Sequence, residues 1–143
     1  MEQNYKNHSR YVPAYHFVTA TLIVLGLGGS IVNLIQSYKH PETHYSAALL
    51  VVVFLVLTSL FWFARAFALR AQDRAIRAEE NFRHFILTGK PFDKQLRMGQ
   101  IISLRFASDE EMPALAERAV KENLSSRQIK EAIRNWRPDH NRA

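Results

Sequence analysis

Two long apolar runs without charged residues constrain this chain more than any other feature of its sequence. Residues 14–35 and residues 46–64 contain no Asp, Glu, Lys or Arg. Each run is close to the roughly 20 residues that a helix, rising about 1.5 Å per residue, needs to cross a bilayer core about 30 Å thick. The rest of the chain offers too little polar surface to bury two such helices in a soluble domain. We therefore expect transmembrane helices at residues 14–37 and 46–64.

The connection between the two runs is short, and this predicts how the helices are arranged. Residues 38–45 form the expected loop, which is long enough only for an antiparallel hairpin. The first run exceeds the roughly 7–15 apolar residues of a signal peptide, and no A-x-A-like cleavage site follows it. We therefore expect the first helix to be retained. The chain has no cysteine, so disulfides and thiolate sites are excluded.

Positive charge is distributed unevenly and predicts an orientation. Lys6, Arg10 and Lys39 precede residue 65, and the remaining 16 of the 19 Lys and Arg residues follow. By the positive-inside rule, we expect both termini to lie in the cytoplasm, with residues 1–13 as a cytoplasmic arm and the loop on the opposite side of the membrane. Aromatic side chains that suit a membrane interface fall near the predicted boundaries, at Tyr5, Tyr11, Tyr15, Tyr38, Tyr45 and Trp62.

The second transmembrane helix is predicted to continue beyond the membrane. No Gly or Pro interrupts the chain between Pro41 and the sequence LTGKP at residues 87–91, where Gly89 suits a left-handed cap and Pro91 prevents continuation. A helix from Ser46 to Thr88 would be about 65 Å long. Residues 65–88 are therefore expected to form a cytoplasmic helical extension.

Charged side chains on this extension predict two kinds of contact. Arg65 and a basic edge at i, i+4 and i+7 are expected to anchor the helix to anionic lipid headgroups; the edge comprises Arg70, Arg74 and Arg77. Acids that precede bases by four residues are expected to form ion pairs along the helix, namely Asp73 with Arg77, Glu79 with Arg83 and Glu80 with His84.

An apolar stripe of Phe82, Phe85 and Ile86, with Ala75 and Ile76 before them, needs a protein surface to cover it, and the C-terminal residues 93–137 are predicted to supply one. Three helices are expected there. The first is capped by Asp93 and ends near Phe106, the second begins with a capping box at SDEE (108–111), and the third begins with one at SSRQ (125–128). Ile129, Ile133 and Trp136 should face the core. About 45 residues make a small core, which must lean on the long helix, on another copy or on a partner.

Polar and small residues on the first transmembrane helix form one candidate site: Thr19, Gly26, Ser30, Asn33 and Ser37. They share a helical face that either lines a polar pathway or packs against another helix, with Asn33 hydrogen bonding across the interface. Intramembrane function is usually marked by ionisable groups, and the hairpin has none at mid-depth, so helix packing is the interpretation that we favour.

Other candidate sites are weaker. His40, Glu42 and His44 lie together in the loop, but three ligands on a flexible loop do not make a convincing metal site, so neither a metal nor a cofactor is expected. No nucleophile with a base, glycine-rich phosphate loop or helical metal-ligand pair is present, which argues against an enzyme. Arg127, Lys130 and Arg134 follow a tight turn, as in a DNA-reading helix, but they equally suit a solvated or lipid-facing surface, and nucleic acid is not an expected partner.

The segments RAQDRAIRAEENFRHFILTGKPFD, IISLRFASDEE and IKEAIRNWRPD resemble a family of small bacterial two-helix membrane proteins that is classed only as a domain of unknown function. The resemblance covers most of the chain and implies no activity, cofactor or catalytic residue. A transporter permease does not follow from it, because two helices per chain cannot enclose a midplane binding site.

Together these patterns predict an all-α membrane protein. We expect a transmembrane helical hairpin whose second helix extends into the cytoplasm. This helix is followed by a small three-helix cytoplasmic cap and by a tail at residues 138–143. We expect a non-enzymatic inner-membrane scaffold or accessory subunit that assembles with itself or with a larger membrane complex. A homo-oligomeric channel or sensor is the alternative, and a membrane-tethered nucleic-acid-binding module is a third.

Overall fold

The computed structural model describes residues 12–139, and its regular elements in that range are all helical apart from an isolated bridge between Ala107 and Trp136. A π-helical segment, Ala14–Thr19, leads into α1, Ala20–Gln36, and a short 3₁₀ helix, Ser37–Lys39, follows. The other helices are α2, Pro41–Thr88; α3, Met98–Leu104; α4, Met112–Lys121; and α5, Ser126–Ala132. The predicted all-helical class is thus confirmed. The predictions for residues 1–11 and 140–143 lie outside the described residues.

The described chain forms two compact units, one ending at Ala68 and the other beginning at Leu69. In the first unit, α1 packs against the first half of α2 as a hairpin. The hydroxyl of Tyr15 donates to the carbonyl of Phe61 at 2.5 Å, and the two rings stack with centroids 4.3 Å apart. At the other end, Ser37 Oγ lies 3.2 Å from Nδ1 of His44. Both helices are long and apolar enough to cross a membrane.

The second helix begins earlier than predicted. It starts at Pro41 instead of Ser46, so the expected loop at 38–45 shrinks to a 3₁₀ turn and His40. Proline at the first helical position is preorganised for the helix because its fixed φ is helical and its missing N–H is not needed there. The carbonyl of His40 accepts the N–H groups of Thr43 and His44 at 3.0 and 3.1 Å. The first turn is therefore complete before the apolar run begins.

The C-terminal end of α2 agrees with prediction. The helix continues without interruption to Thr88, and Gly89 adopts a left-handed φ of 72°. Its N–H donates to the carbonyl of Phe85 at 2.8 Å. Glycine suits this position because a side chain would be strained at positive φ.

Residues 92–139 form the helical cap, in which α3 starts later than predicted. Asp93 caps a turn instead of the helix, since its carboxylate accepts the N–H of Gln95 at 2.8 Å and its carbonyl accepts that of Leu96 at 3.1 Å. The N-cap is Arg97, whose N–H donates to the side chain of Gln100 at 2.8 Å. An Asx turn competes with helix initiation for the same side chain, which explains the displaced start.

The two predicted capping boxes of the cap have different outcomes. SSRQ is confirmed, because Ser125 Oγ accepts the N–H of Gln128 at 3.3 Å and the Gln128 side chain accepts that of Ser125 at 2.8 Å. SDEE is wrong. The helix α4 begins after it, at Met112, and the carboxylate of Glu111 instead accepts the N–H of Arg134 at 3.1 Å.

The core of the cap draws apolar side chains from all three of its helices and from the segments between them: Phe92, Leu96, Ile101, Leu104, Phe106, Ala107, Met112, Leu115, Ala116, Ala119, Leu124, Ile129 and Ile133. Gln100 is buried beside them and donates to the carbonyls of Ala119 and Leu124 at 3.3 and 2.8 Å. One amide thus joins α3 to the turn between α4 and α5. The helix α5 ends at Ala132, short of the predicted Arg137, and Trp136 packs on Phe106 from an extended segment.

Candidate interaction surfaces

The predicted packing face of α1 divides into an inner and an outer part. Gly26, Ser30 and Ser37 are partly or fully buried inside the hairpin, and any side chain at Gly26 would overlap the ring of Phe54. Asn33 and Thr19 are exposed instead. The hydroxyl of Thr19 donates to the carbonyl of Ala14, at 3.0 Å, within its own helical segment.

The contact line explains this division. The less exposed residues on α1 also include Ile23, Leu27 and Leu34, which shift the centre of the inner face away from Asn33. At 100° per residue, Asn33 then lies roughly 70° from that centre. Among the described residues the amide of Asn33 has no hydrogen-bond partner, so the expected hydrogen bond to another helix is not made inside the hairpin and stays a prediction for a helix outside it. At Gly29, one turn before Asn33, no packed neighbour lies within 4 Å of the place that a Cβ would occupy, so the outer surface beside Asn33 is open. Gly28, on another side of α1, has the same open space.

The second half of α2 contacts the cap through polar side chains. Arg83 donates to Glu80 at 2.9 Å, to Asp109 at 2.6 Å and to the carbonyl of Ala107 at 2.8 Å. The side chains of Arg83 and Glu80 are 12% and 10% exposed. One guanidinium thus joins the helix to the segment between α3 and α4.

Two further side chains of α2 hold the segment that follows the helix. Asn81 Oδ1 accepts the N–H of Phe92 at 2.8 Å. His84 Nδ1 lies 2.8 Å from the carbonyl of Lys90, and its ring lies 4.5 Å from that of Phe92. Buried Ile76, one turn before Glu80, completes this contact face.

The prediction that the cap covers the apolar stripe of α2 is wrong for the three C-terminal residues of the stripe, whereas Ile76 of the same stripe is buried. Phe82, Phe85 and Ile86 are 64%, 50% and 66% exposed. The prediction was based on the spacing of apolar residues, but the face of α2 that binds the cap consists mainly of hydrogen-bonded polar side chains, which apolar spacing does not detect. The other three predicted partner-face residues lie in the cap, where Ile129 and Ile133 are buried and Trp136 is half-buried.

Within the part of the chain that the structure describes, none of the three ion pairs predicted along α2 is formed. Arg83 pairs with Glu80 at i−3 and with Asp109, instead of Glu79. His84 bonds to a backbone carbonyl and not to Glu80. The predicted basic edge of Arg70, Arg74 and Arg77 is exposed. Among the described residues, neither this edge nor Arg65 makes an ion pair. Their charges remain available to an external anion.

Among the described residues, the main cleft and the predicted loop ligands do not form a recognisable catalytic or metal-binding site. A cleft of about 480 Å³ beside α2 is lined by paired charges: Arg105 lies 3.1 Å from Asp139, and Arg137 lies 4.0 Å from Glu80. In the loop, His40 Nδ1 lies 3.5 Å from Glu42, while His44 points to Ser37. Within residues 12–139 no group of three such ligands is placed to hold a metal ion.

The candidate DNA-reading helix differs from its prediction. The helix α5 has seven residues and ends before Arg134, so the three cations do not share one helix. Arg127 pairs with Glu131 at 2.8 Å, and Lys130 lies 5.7 Å from the ring centre of Phe106. Arg127 and Lys130 therefore both contact side chains of the cap itself.

Comparison with known proteins gives a family but no activity. The model of a family of unknown function (DUF6526) matches residues 1–143. No match to the chain was found among the curated proteins or among the solved structures. The resemblance of the segments at 70–93, 101–111 and 129–139 to a family classed only as a domain of unknown function is therefore confirmed, and the match extends over the whole chain. The protein belongs to the family of unknown function DUF6526.

Proposed function

We propose that this protein is a non-enzymatic, multi-pass scaffold or accessory subunit of the bacterial inner membrane. In this proposal the hairpin of α1 and the first half of α2 spans the bilayer, and the cap and both termini lie in the cytoplasm. The observation that carries the proposal is the outward-facing apolar surface of the hairpin. Only 6% of the most apolar stretch of either helix is buried, whereas a core helix of a soluble protein would be mostly buried. Lipid removes the unfavourable contact of such a surface with water, about 25 cal/mol per Å².

Charge supports the orientation. Arg65, Arg70 and Arg77 have no ion-pair partner among the described residues, which suits contact with anionic headgroups of the cytoplasmic leaflet. Each cation near such a surface contributes about 1 kcal/mol of attraction. Arg65 lies next to the predicted end of the second span, where its side chain reaches the headgroups by extending along the helix.

Asn33 supports assembly within the membrane. In the proposed span, its exposed amide would face hydrocarbon, where an unpaired polar group is unfavourable. Gly29, one turn away, leaves room for a close helix. A helix from another copy or from a larger complex would satisfy the amide by hydrogen bonding, as small and polar residues do at membrane helix interfaces.

The topology is testable because the chain has no native cysteine. We expect the protein to fractionate with membranes and a His40→Cys variant to react with an impermeant maleimide applied from outside the cell membrane. A Lys94→Cys variant, equally exposed in the structure, should react only after permeabilisation. Recovery in the soluble fraction would contradict membrane anchoring, and labelling of the two positions in the reverse order would contradict the orientation.

The exposed positions of Thr19 and Asn33 also favour the alternative of a homo-oligomeric channel, because both polar side chains lie outside the hairpin contact. Asn33→Leu separates the two functions. A packing residue would lose about 0.6–2 kcal/mol of helix association, seen as a smaller native mass. A pore residue would change conductance while the native mass stays the same. Val24→Leu, on an exposed part of α1, is the matched control.

A further inference from the structure

The second half of α2 carries an exposed stripe with coiled-coil spacing. Its residues are separated alternately by four and three positions and are exposed without exception: Ala71, Ala75, Ala78, Phe82 and Phe85. We call this set the heptad stripe. A mean spacing of 3.5 residues is the repeat that keeps one face of a helix against a parallel partner helix. The exposed ring of Phe82 and the side chain of Ile86 give its C-terminal end a large apolar surface.

The heptad stripe lies on the side of α2 away from the cap. The side chains that bind the cap are Glu80, Asn81, Arg83 and His84. At 100° per residue, the centre of that set lies roughly 160° around the helix from the centre of the stripe. The stripe residues therefore stay exposed while the cap is bound to α2, and Ala75 and Ala78 also border the clefts between α2 and the cap.

Charge complementarity identifies the occupant. With Ala71, Ala78 and Phe85 at d positions, Arg74 is a g residue and Glu79 is the e residue five positions later. In a parallel two-stranded coiled coil, g of one helix faces this e residue of the other. A second copy would thus place Arg74 against Glu79 twice, once on each side of the two-fold axis. Both side chains are exposed, and neither makes an ion pair among the described residues.

We propose that two copies of this chain associate through the heptad stripe as a short parallel coiled coil. The alanines allow close approach of the two helices, and Phe82 and Phe85 supply the apolar contact. Residues 71–85 cover only about two heptads, which is short for a coiled coil in solution. The proposal therefore rests on the proposed membrane hairpin, which gives both copies the same orientation and reduces the entropy lost on association.

Single cysteines in the otherwise cysteine-free chain test the contact directly. Ala71→Cys and Ala78→Cys lie at d positions, where the two-fold axis brings identical residues within disulfide distance. Arg70→Cys and Arg77→Cys, one residue earlier, are the matched exposed controls. In native membranes under mild oxidation, we expect roughly tenfold more covalent dimer at 71 and 78 than at 70 and 77. Equal yields at all four positions, or a disulfide between position 78 and a different protein, would overturn pairing with a second copy.

Charge exchange tests the parallel register. We expect Arg74→Glu or Glu79→Arg alone to lower the Ala78→Cys cross-link yield about two- to fivefold, and the double exchange to restore it. When the two single variants are co-expressed, each chain complements the other, so the mixed dimer should exceed either self-paired dimer. A double variant that stays as weak as the single variants would contradict the pairing of these two residues.

The failure of this inference is distinguishable from the failure of the proposed function. If His40→Cys is labelled from outside but Ala78→Cys gives no covalent dimer, the membrane scaffold stands and the coiled coil is overturned. If the chain fractionates as soluble, the membrane function fails, and the cross-links at 71 and 78 still decide whether the stripe binds a second copy.

Discussion

The half of α2 that ends at Ala68 contacts α1 through small residues and rings, whereas the half that begins at Leu69 contacts the cap through charged and polar side chains. In the first half, Phe54 packs against the bare backbone of Gly26. In the second half, Arg83 satisfies two carboxylates and a carbonyl. One uninterrupted helix is thus packed by opposite kinds of contact along its length.

The outer surfaces of the two halves differ as well. The hairpin half exposes a nearly continuous apolar surface, whereas the cap half exposes one apolar stripe between charged edges. The difference shows that exposed apolar residues do not mark the face on which a helix packs within its own chain. Packing inside a chain requires shape fit or hydrogen-bond pairing, and unused apolar surface is left for lipid or for another protein.

Loss of Arg83 should cause the largest difference in stability between the cap and the hairpin. Arg83→Ala leaves the nearly buried carboxylate of Glu80 without its main partner, and breaking such a pair costs about 3–5 kcal/mol. We expect the cap to become susceptible to limited proteolysis and to exchange its amide hydrogens faster, while the hairpin is unaffected. Arg74→Ala, which removes an exposed cation from the same helix, is the control. A cap that stays protected in Arg83→Ala would show that its own core is sufficient.

The stability of the hairpin should depend on the size of the side chain at position 26 and not on charge. Gly26→Leu forces a side chain into the ring of Phe54, and overpacking of this kind costs about 1–3 kcal/mol. We expect a lower midpoint of thermal unfolding for the hairpin helices in detergent. Gly28→Leu, where the structure leaves open space, should unfold at the original midpoint. Equal effects at both positions would mean that Gly26 is not a close-contact site.

The capping box of α5 should contribute less. Ser125→Ala removes the side chain that accepts the N–H of Gln128, which costs about 1 kcal/mol at an N-cap. The midpoint of urea unfolding measures the loss when it is followed by the fluorescence of Trp136 in a Trp62→Phe background, so that the signal comes from the cap alone. Glu131→Ala removes an exposed ion pair with Arg127 and should shift this midpoint less.

The smallest effect is expected at the exposed pair of Arg118 and Glu122. A hydrogen bond from Arg118, at 3.1 Å, lowers the pKa of Glu122. A lowered folded-state pKa favours folding above the unfolded-state pKa, and this contribution is lost as pH falls through the folded-state pKa. In Arg118→Ala, NMR titration should show the pKa of Glu122 rising towards its ordinary value, with no measurable change in unfolding. A measurable loss of stability would indicate that this pair does more than a solvated ion pair.

Local features of this protein followed from the sequence because each depends on residues within about one helical turn. Gly89 and Pro91 predicted where α2 ends, and Ser125 with Gln128 predicted where α5 begins. The same local reasoning was wrong at Asp93, where the side chain caps a turn that competes with the helix. The carboxylate of Asp93 could cap either a helix or a turn, and the local sequence does not decide between them.

The sequence by itself determined the all-helical class, the two long apolar helices and the uninterrupted course of α2, since composition and periodicity act along the chain. Only the tertiary structure decided which face of α2 binds the cap and on which side of the hairpin Asn33 lies. The contact of Arg83 with Ala107 joins residues 24 positions apart, and that of Glu111 with Arg134 joins residues 23 apart. Hydrogen bonds over such separations depend on how the helices meet in space, which no pattern along one helix reports.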